Sequence, residues 1–171
     1  MVKLRPWHEE DATALAQMLI NKNILANLRD GIPFPYTVKD AIDFLLRTAI
    51  PKSYNYFCIE VDTHVAGSIC VLPKEDVYRK TAEVGYYVAE PYWKKGVGTK
   101  AVGLATEYAW KNLDVMKLYA EVFEFNRASM RILEKNNYAL ECIRKKHVIK
   151  NGQFWDDYLW TIFSRPSKSV F

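Results

Sequence analysis

At 171 residues the chain is long enough to bury one domain's core, and with half its residues hydrophobic and 26% charged it has the make-up of an ordinary globular protein. A net charge of +4 suits a small anionic ligand and is too weak to argue for nucleic acid. Cys58, Cys70 and Cys142 show no Cys-x-x-Cys spacing and His8, His64 and His147 form no ligand pattern, which excludes a disulfide framework and a metal centre as expectations.

In chain order, Val2 to Arg5 reads as a short strand closed by Pro6. Asp11 to Ile20 places Ala12, Leu15, Ala16 and Leu19 at helical spacing behind Glu9, Glu10 and Asp11, and a second short helix is expected over Ile24 to Leu28. Asp30 to Tyr36, with Pro33 and Pro35, is a loop, in which Phe34 and Tyr36 either line a pocket or plug the core. Thr37 caps the next helix, with Asp40 completing a capping box and Leu45 and Thr48 continuing the pattern.

From Tyr54 the period changes to that of strands. Tyr54 to Val61 and Val65 to Leu72 form a hairpin about Asp62-Thr63-His64, and Thr81 to Ala89 makes a third strand. Gly98 to Leu113 is the clearest helix, followed by a strand over Val115 to Phe125 and a helix over Arg127 to Lys135. Tyr138 to Val148 and Phe154 to Phe163 pair about Asn151-Gly152, and Ser164 to Phe171 is expected as a tail. The order predicts a single α/β (α+β) domain over 1–171. Its sheet is mixed and mostly antiparallel, with one parallel pair made by the crossover helix and helices on both faces.

The stretch from Tyr92 to Thr99 carries the chemistry. Lys94, Lys95, Gly96, Val97, Gly98 and Thr99 lead from a strand into a helix, where free backbone N–H groups and the helix dipole favour an anion such as pyrophosphate. The competing reading is a plain strand-to-helix turn. Pro91 cannot extend pairing beyond its strand, so the strand ending at Ala89 is expected to splay from its parallel neighbour and leave backbone groups for a ligand with amides. A pyrophosphate beside amides describes coenzyme A.

With these motifs and with Leu4-Arg5-Pro6, Ala82 to Val88, Glu121 to Ser129 and Glu134 to Tyr138, nearly the whole chain resembles the GNAT superfamily of acetyl-CoA-dependent N-acetyltransferases. It looks nearest to the ribosomal-protein, RimJ/RimL-like branch. The resemblance implies a GNAT fold and direct transfer of acetyl from acetyl-CoA to a primary amine, either a protein N-terminus or a small molecule. It implies backbone contacts to pantetheine from Tyr86, Tyr87 and Val88, pyrophosphate on Lys94 to Thr99, Asn126 on the pantetheine arm and Ser129 near the thiol. Asn126 also reads as a plain helix N-cap and Ser129 as an ordinary first-turn serine.

The resemblance further makes Glu83 the first candidate base and Glu121 the second, each alternatively a salt-bridged strand residue. Two positions depart from the family pattern. Trp93 stands where Arg or Gln is usual, and Leu133 stands where many members carry a catalytic Tyr, so that either Ser129, another Tyr or water is the proton donor or none is needed, a thiolate being an acceptable leaving group. A non-catalytic acyl-CoA-binding module is therefore the alternative reading. No membrane span and no signal peptide are expected, and the setting is expected to be cytoplasmic, with a homodimer possible through exposed aromatics. The acceptor site is expected between Asp30 to Tyr36 and Lys150 to Trp155.

Overall fold

The computed structural model describes residues 1–52 and 55–164. Seven strands form one sheet: β1 (Val2–Arg5), β2 (Tyr56–Val61), β3 (His64–Pro73), β4 (Thr81–Val88), β5 (Lys117–Phe123), β6 (Ala139–Lys150) and β7 (Gln153–Phe163), in the spatial order β1-β2-β3-β4-β5-β7-β6. Every pairing is antiparallel except β4 with β5. The helices are α1 (Ala12–Leu19), α2 (Lys22–Leu25), α3 (Val38–Phe44), α4 (Val97–Asn112) and α5 (Arg127–Lys135). Tyr54, where a strand was expected to begin, and 165–171 of the expected tail lie outside the described residues.

Alternation along the strands sorts side chains to two cores. Val84, Leu118, Val122 and Ile69 pack with Ala101, Ala105 and Leu133 of α4 and α5. On the opposite face Cys58 joins Trp7, Leu15, Leu19, Ala41 and Leu45 beneath α1 and α3. The capping box at α3 is present, Thr37 Oγ1 accepting from Asp40 N–H at 3.2 Å and Asp40 accepting from Thr37 N–H at 2.8 Å. Past Phe44 the helix widens into a π turn over Leu45–Ala49.

Several bounds differ from the sequence reading. The second helix is Lys22–Leu25, starting earlier because Asn21 Oδ1 accepts from Asn23 N–H at 2.8 Å and caps it. Strand β5 ends at Phe123, where its last partner is Asp157 of β7. Tyr36 is buried, whereas Phe34 is exposed beneath Lys22 rather than in the core.

The first strand is tied to α1 by charge. Arg5 donates to both oxygens of Asp11 at 2.7 and 2.8 Å and to Glu60 at 2.5 Å. Burial pushes the Asp11 carboxyl up, but the bonds from Arg5 and the His8 amide outweigh it and hold the group below its ordinary value. A group so depressed stabilises the fold in full above its unfolded value near 3.8 and loses that contribution as pH falls through the folded value. We expect Arg5→Ala to cost about 2 kcal/mol at neutral pH, the scale of hydrogen bonds to charged groups. Melts of both proteins should show that gap narrowing as pH drops below 3.8.

Candidate active site

Only three residue pairs join β4 to β5: Thr81 with Lys117, Ala82 with Leu118 and Glu83 with Tyr119. Beyond Glu83 the strands part, β4 staying in continuous register with β3 to Val88 and β5 with β7 to Phe123. The parting is therefore a division of the sheet into two halves. It corrects the role given to Pro91, which lies in a 3₁₀ turn over Glu90–Tyr92, past the strand's end and well after the gap has opened.

The gap exposes one edge of β4. Ala89 N–H donates to Ala66 on β3 at 2.8 Å, so alternation turns the backbone groups of Gly85 and Tyr87 to β3 and those of Val84, Tyr86 and Val88 to the gap. The backbone groups of Tyr86 and Val88 thus turn to the gap, whereas those of Tyr87 turn to β3 and its ring packs against the core under α1 and α3. The Val88 carbonyl accepts from the Trp93 indole Nε1–H at 2.7 Å, which gives the unusual Trp93 a function in fixing the loop against the strand end.

The loop then enters α4. Gly96 has φ +76°, a left-handed conformation, and a Cβ there would meet nothing within 4 Å. The first helical hydrogen bond is Lys100 N–H to Gly96 O at 3.0 Å, so the N–H groups of Val97, Gly98 and Thr99 have no partner within the helix. Lys94 and Lys95 are exposed beside them. The Val97 side chain is core, so only its backbone is open to the loop side. Gly98 is small for packing: a Cβ would lie 2.7 Å from Ile132 Cδ1 of α5.

Asn126 caps α5, its Oδ1 accepting from Ser129 N–H at 3.1 Å. The Ser129 hydroxyl lies 2.7 Å from the Tyr86 hydroxyl, which crosses from β4 to α5. Burial pushes the Tyr86 phenol above its ordinary value, so it stays protonated. Leu133 is fully buried core.

On the other face of the sheet Glu83 and Glu121 come together. Arg29 Nη2 reaches Glu83 Oε1 at 2.7 Å and Glu121 Oε2 at 3.1 Å. The second Glu83 oxygen takes Lys74 at 2.8 Å, and the second Glu121 oxygen takes Arg144 at 2.8 Å. Burial alone would raise the Glu83 carboxyl, but Lys74 and Arg29 hold it below its ordinary value. Arg29, Glu83 and Glu121 line a cleft of about 900 Å³ walled by Asp30, Ile32 and Tyr36 on one side and His147 to Lys150 on the other. Lys150 joins the walls, donating to Asp30 at 2.6 Å and to the Leu28 carbonyl at 2.6 Å. The Asp30 to Tyr36 loop is one of the two expected segments, whereas of Lys150 to Trp155 only Lys150 lines the cleft and the wall runs back to His147. Of the other acidic residues, Asp157 pairs with Arg144, while Asp156 pairs with Lys145 at 2.7 Å and Glu124 accepts from the Asp156 N–H at 3.2 Å.

Arg29, Lys74, Arg144 and the Tyr86 hydroxyl were not legible as site groups. The three cations follow no motif. The period-two alternation that sends Tyr87 to one core would have sent Tyr86 toward α5.

Residues 2–139 match the acetyltransferase (GNAT) domain family. The chain belongs to this family. Spermidine N(1)-acetyltransferase of Escherichia coli K12 is 28% identical over 163 residues, covering 95% of this chain and 86% of that protein. Among solved structures, Mycobacterium smegmatis RimJ in complex with CoA-disulfide aligns with a TM-score of 0.82 at 21% identity, over 95% of this chain and 82% of that one. Spermidine N-acetyltransferase from Vibrio cholerae in complex with CoA and spermine aligns at 0.79 with 20% identity, over 95% of each chain. The family makes the chain an N-acetyltransferase with acetyl-CoA as donor, and the mixed sheet with one parallel pair is its fold. Among the described residues no helix is long and apolar enough to cross a membrane and no acidic, histidine and cysteine cluster could hold a metal.

The αL position and the helix start make separate demands on the loop. Gly96→Ala should cost about 1 kcal/mol through its left-handed φ alone. It should also raise the Kd for acetyl-CoA, because the strained loop turns its amides off line. A thermal melt and a calorimetric titration check the two effects, and an unchanged Kd would place the anion elsewhere.

Proposed function

We propose that the chain transfers acetyl from acetyl-CoA to a primary amine that enters the acidic cleft, and that the acceptor is a cationic small molecule of the polyamine class. The observation that carries this is the meeting of Glu83 and Glu121 at the point where β4 and β5 part. The pyrophosphate would lie on the Gly96 loop and the N–H groups of Val97 to Thr99, and pantetheine along the gap edge at Tyr86 and Val88, with Asn126 at the gap's far side. The amine attacks the thioester carbonyl, the C–N bond forms and the C–S bond breaks. Glu83 takes the proton from nitrogen, directly or through water, with Glu121 beside it. Ser129, bonded to the protonated Tyr86, supplies the proton to the thiolate, a duty Leu133 cannot perform.

The cleft's charge supports a cationic acceptor. Asp30, Asp40, Asp43, Glu83, Glu121 and Asp157 line it against Arg29 and Lys150, an acidic excess that attracts an ammonium. The similarity to a spermidine acetyltransferase along 95% of the chain points the same way. The ribosomal-protein branch would instead favour a protein N-terminus. The three cysteines are free, as suits a reducing cytoplasm. A second reading, a binding module without turnover, would rest on Leu133 and the ion-paired carboxylates.

One assay separates these readings. With acetyl-CoA and a panel of spermidine, lysine and short free-N-terminal peptides, thiol release should be greatest for spermidine. Release confined to peptides would move the acceptor to the N-terminal class, and binding without release would leave the module. Glu83→Gln should lower kcat/KM by about 10²–10⁴, the scale of general-base catalysis. Because both carboxylates face one nitrogen, adding Glu121→Gln should cost less than the two single losses summed.

A further inference from the structure

Both carboxylates at the apex of the gap share a cation that acetyl transfer does not require. One nitrogen of Arg29, Nη2, touches Glu83 Oε1 and Glu121 Oε2. We propose that Arg29 is a built-in competitor for the acceptor amine: its guanidinium holds Glu83 and Glu121 until the acceptor's ammonium displaces it. The proposal deepens, and rests on, the acetyl-transfer reading above.

Three features single Arg29 out as the exchangeable cation. The outer partners are anchored twice, Lys74 to Glu83 with its ammonium over the Tyr119 ring at 5.6 Å, and Arg144 to Glu121 with a second bond to Asp157, whose side chain is 2% exposed. Arg29 has its two side-chain bonds to these carboxylates alone among the described residues, and its side chain is 72% exposed. Screened pairs of a long, exposed side chain are weak and readily exchanged.

The backbone beneath it is held. Lys150 bonds the Leu28 carbonyl and the Asp30 carboxylate on either side, so Arg29 can leave by side-chain rotation with its loop in place. A primary ammonium fits the vacated position, since it offers three donors to carboxylate oxygens facing one point. A neutral amine gains no such exchange, and Arg29 thereby selects for cationic acceptors.

Steady-state kinetics with spermidine on wild type, Arg29→Gln and Arg29→Lys tests the exchange. The Gln variant should lower KM for spermidine about 3- to 10-fold, the size of two screened ion pairs, and leave KM for acetyl-CoA unchanged. The Lys variant should stay near wild type. An unchanged or raised spermidine KM in the Gln variant, with an unchanged melting temperature, would overturn the proposal and make Arg29 part of the acceptor site.

A second measurement needs no turnover. The Arg29 side-chain Nε–H signal, assigned by its loss in Arg29→Gln, is followed by NMR as butylammonium chloride or sodium chloride is added at equal ionic strength. Only butylammonium should shift it, and equal responses would refute displacement. Absence of transfer to every amine would defeat the proposed function, while the NMR comparison would still decide the exchange.

Discussion

The end of pairing between β4 and β5 after Glu83 is the constraint on which the rest of the molecule depends. Each strand keeps its outer neighbour, β4 with β3 and β5 with β7, so the gap leaves both halves hydrogen-bonded and only the facing edges unpaired. Buried backbone groups must find partners. An edge opened this way is stable only where a ligand or solvent supplies them. The same opening gives the Val88 carbonyl to Trp93 and leaves the loop before α4 fixed at the gap's far end.

Alternation then assigns the two faces different work. Tyr86 points to the α5 side and bonds Ser129, while Glu83 and Glu121 point to the side walled by the Asp30 loop and the β6–β7 hairpin. Charges along that second face alternate in sign from Lys74 through Glu83, Arg29, Glu121 and Arg144 to Asp157. No carboxylate in the row lacks a cation, so none of these charges is left unpaired in a half-buried cleft. Removing any one cation raises the demand for another, and an acceptor ammonium can meet it.

Local patterns carried most of the architecture. The Thr37 capping box, the Asn151-Gly152 turn and the apolar stripe of α4 each speak through neighbouring residues, and periodicity placed the meander and the crossover. The strand order was less legible: β7 lies inside β6, next to β5, which no local signal states. Pro91 misled because a visible strand breaker seemed sufficient to open the gap, whereas the opening comes from the two halves of the sheet diverging. The loop and Asn126 could be read because backbone geometry demands Gly and Asn there. Arg29, Lys74 and Arg144 could not, because a surface cation looks the same in sequence whether it meets solvent or a carboxylate from a strand, 9 residues away for Lys74, 13 for Arg144 and 54 or 92 for Arg29.

The paired carboxylates set a limit on how the amine becomes a nucleophile. An alkylammonium near pKa 10.4 and a glutamate near 4.3 differ by about 6 units, so handing the proton from the resting ammonium to Glu83 is uphill by about 8 kcal/mol. The depressed carboxyl of Glu83 widens that difference. In the proposed mechanism Glu83 and Glu121 serve the cation first as an electrostatic seat, and the ammonium gives up one proton to solvent before its lone pair attacks. Their role as base begins as the C–N bond forms, when the attacking nitrogen turns acidic and its next proton passes downhill to oxygen. Displacing Arg29 frees that seat, and once the seated ammonium has lost its proton Glu83 faces one positive charge fewer and is the stronger base for the attacking nitrogen.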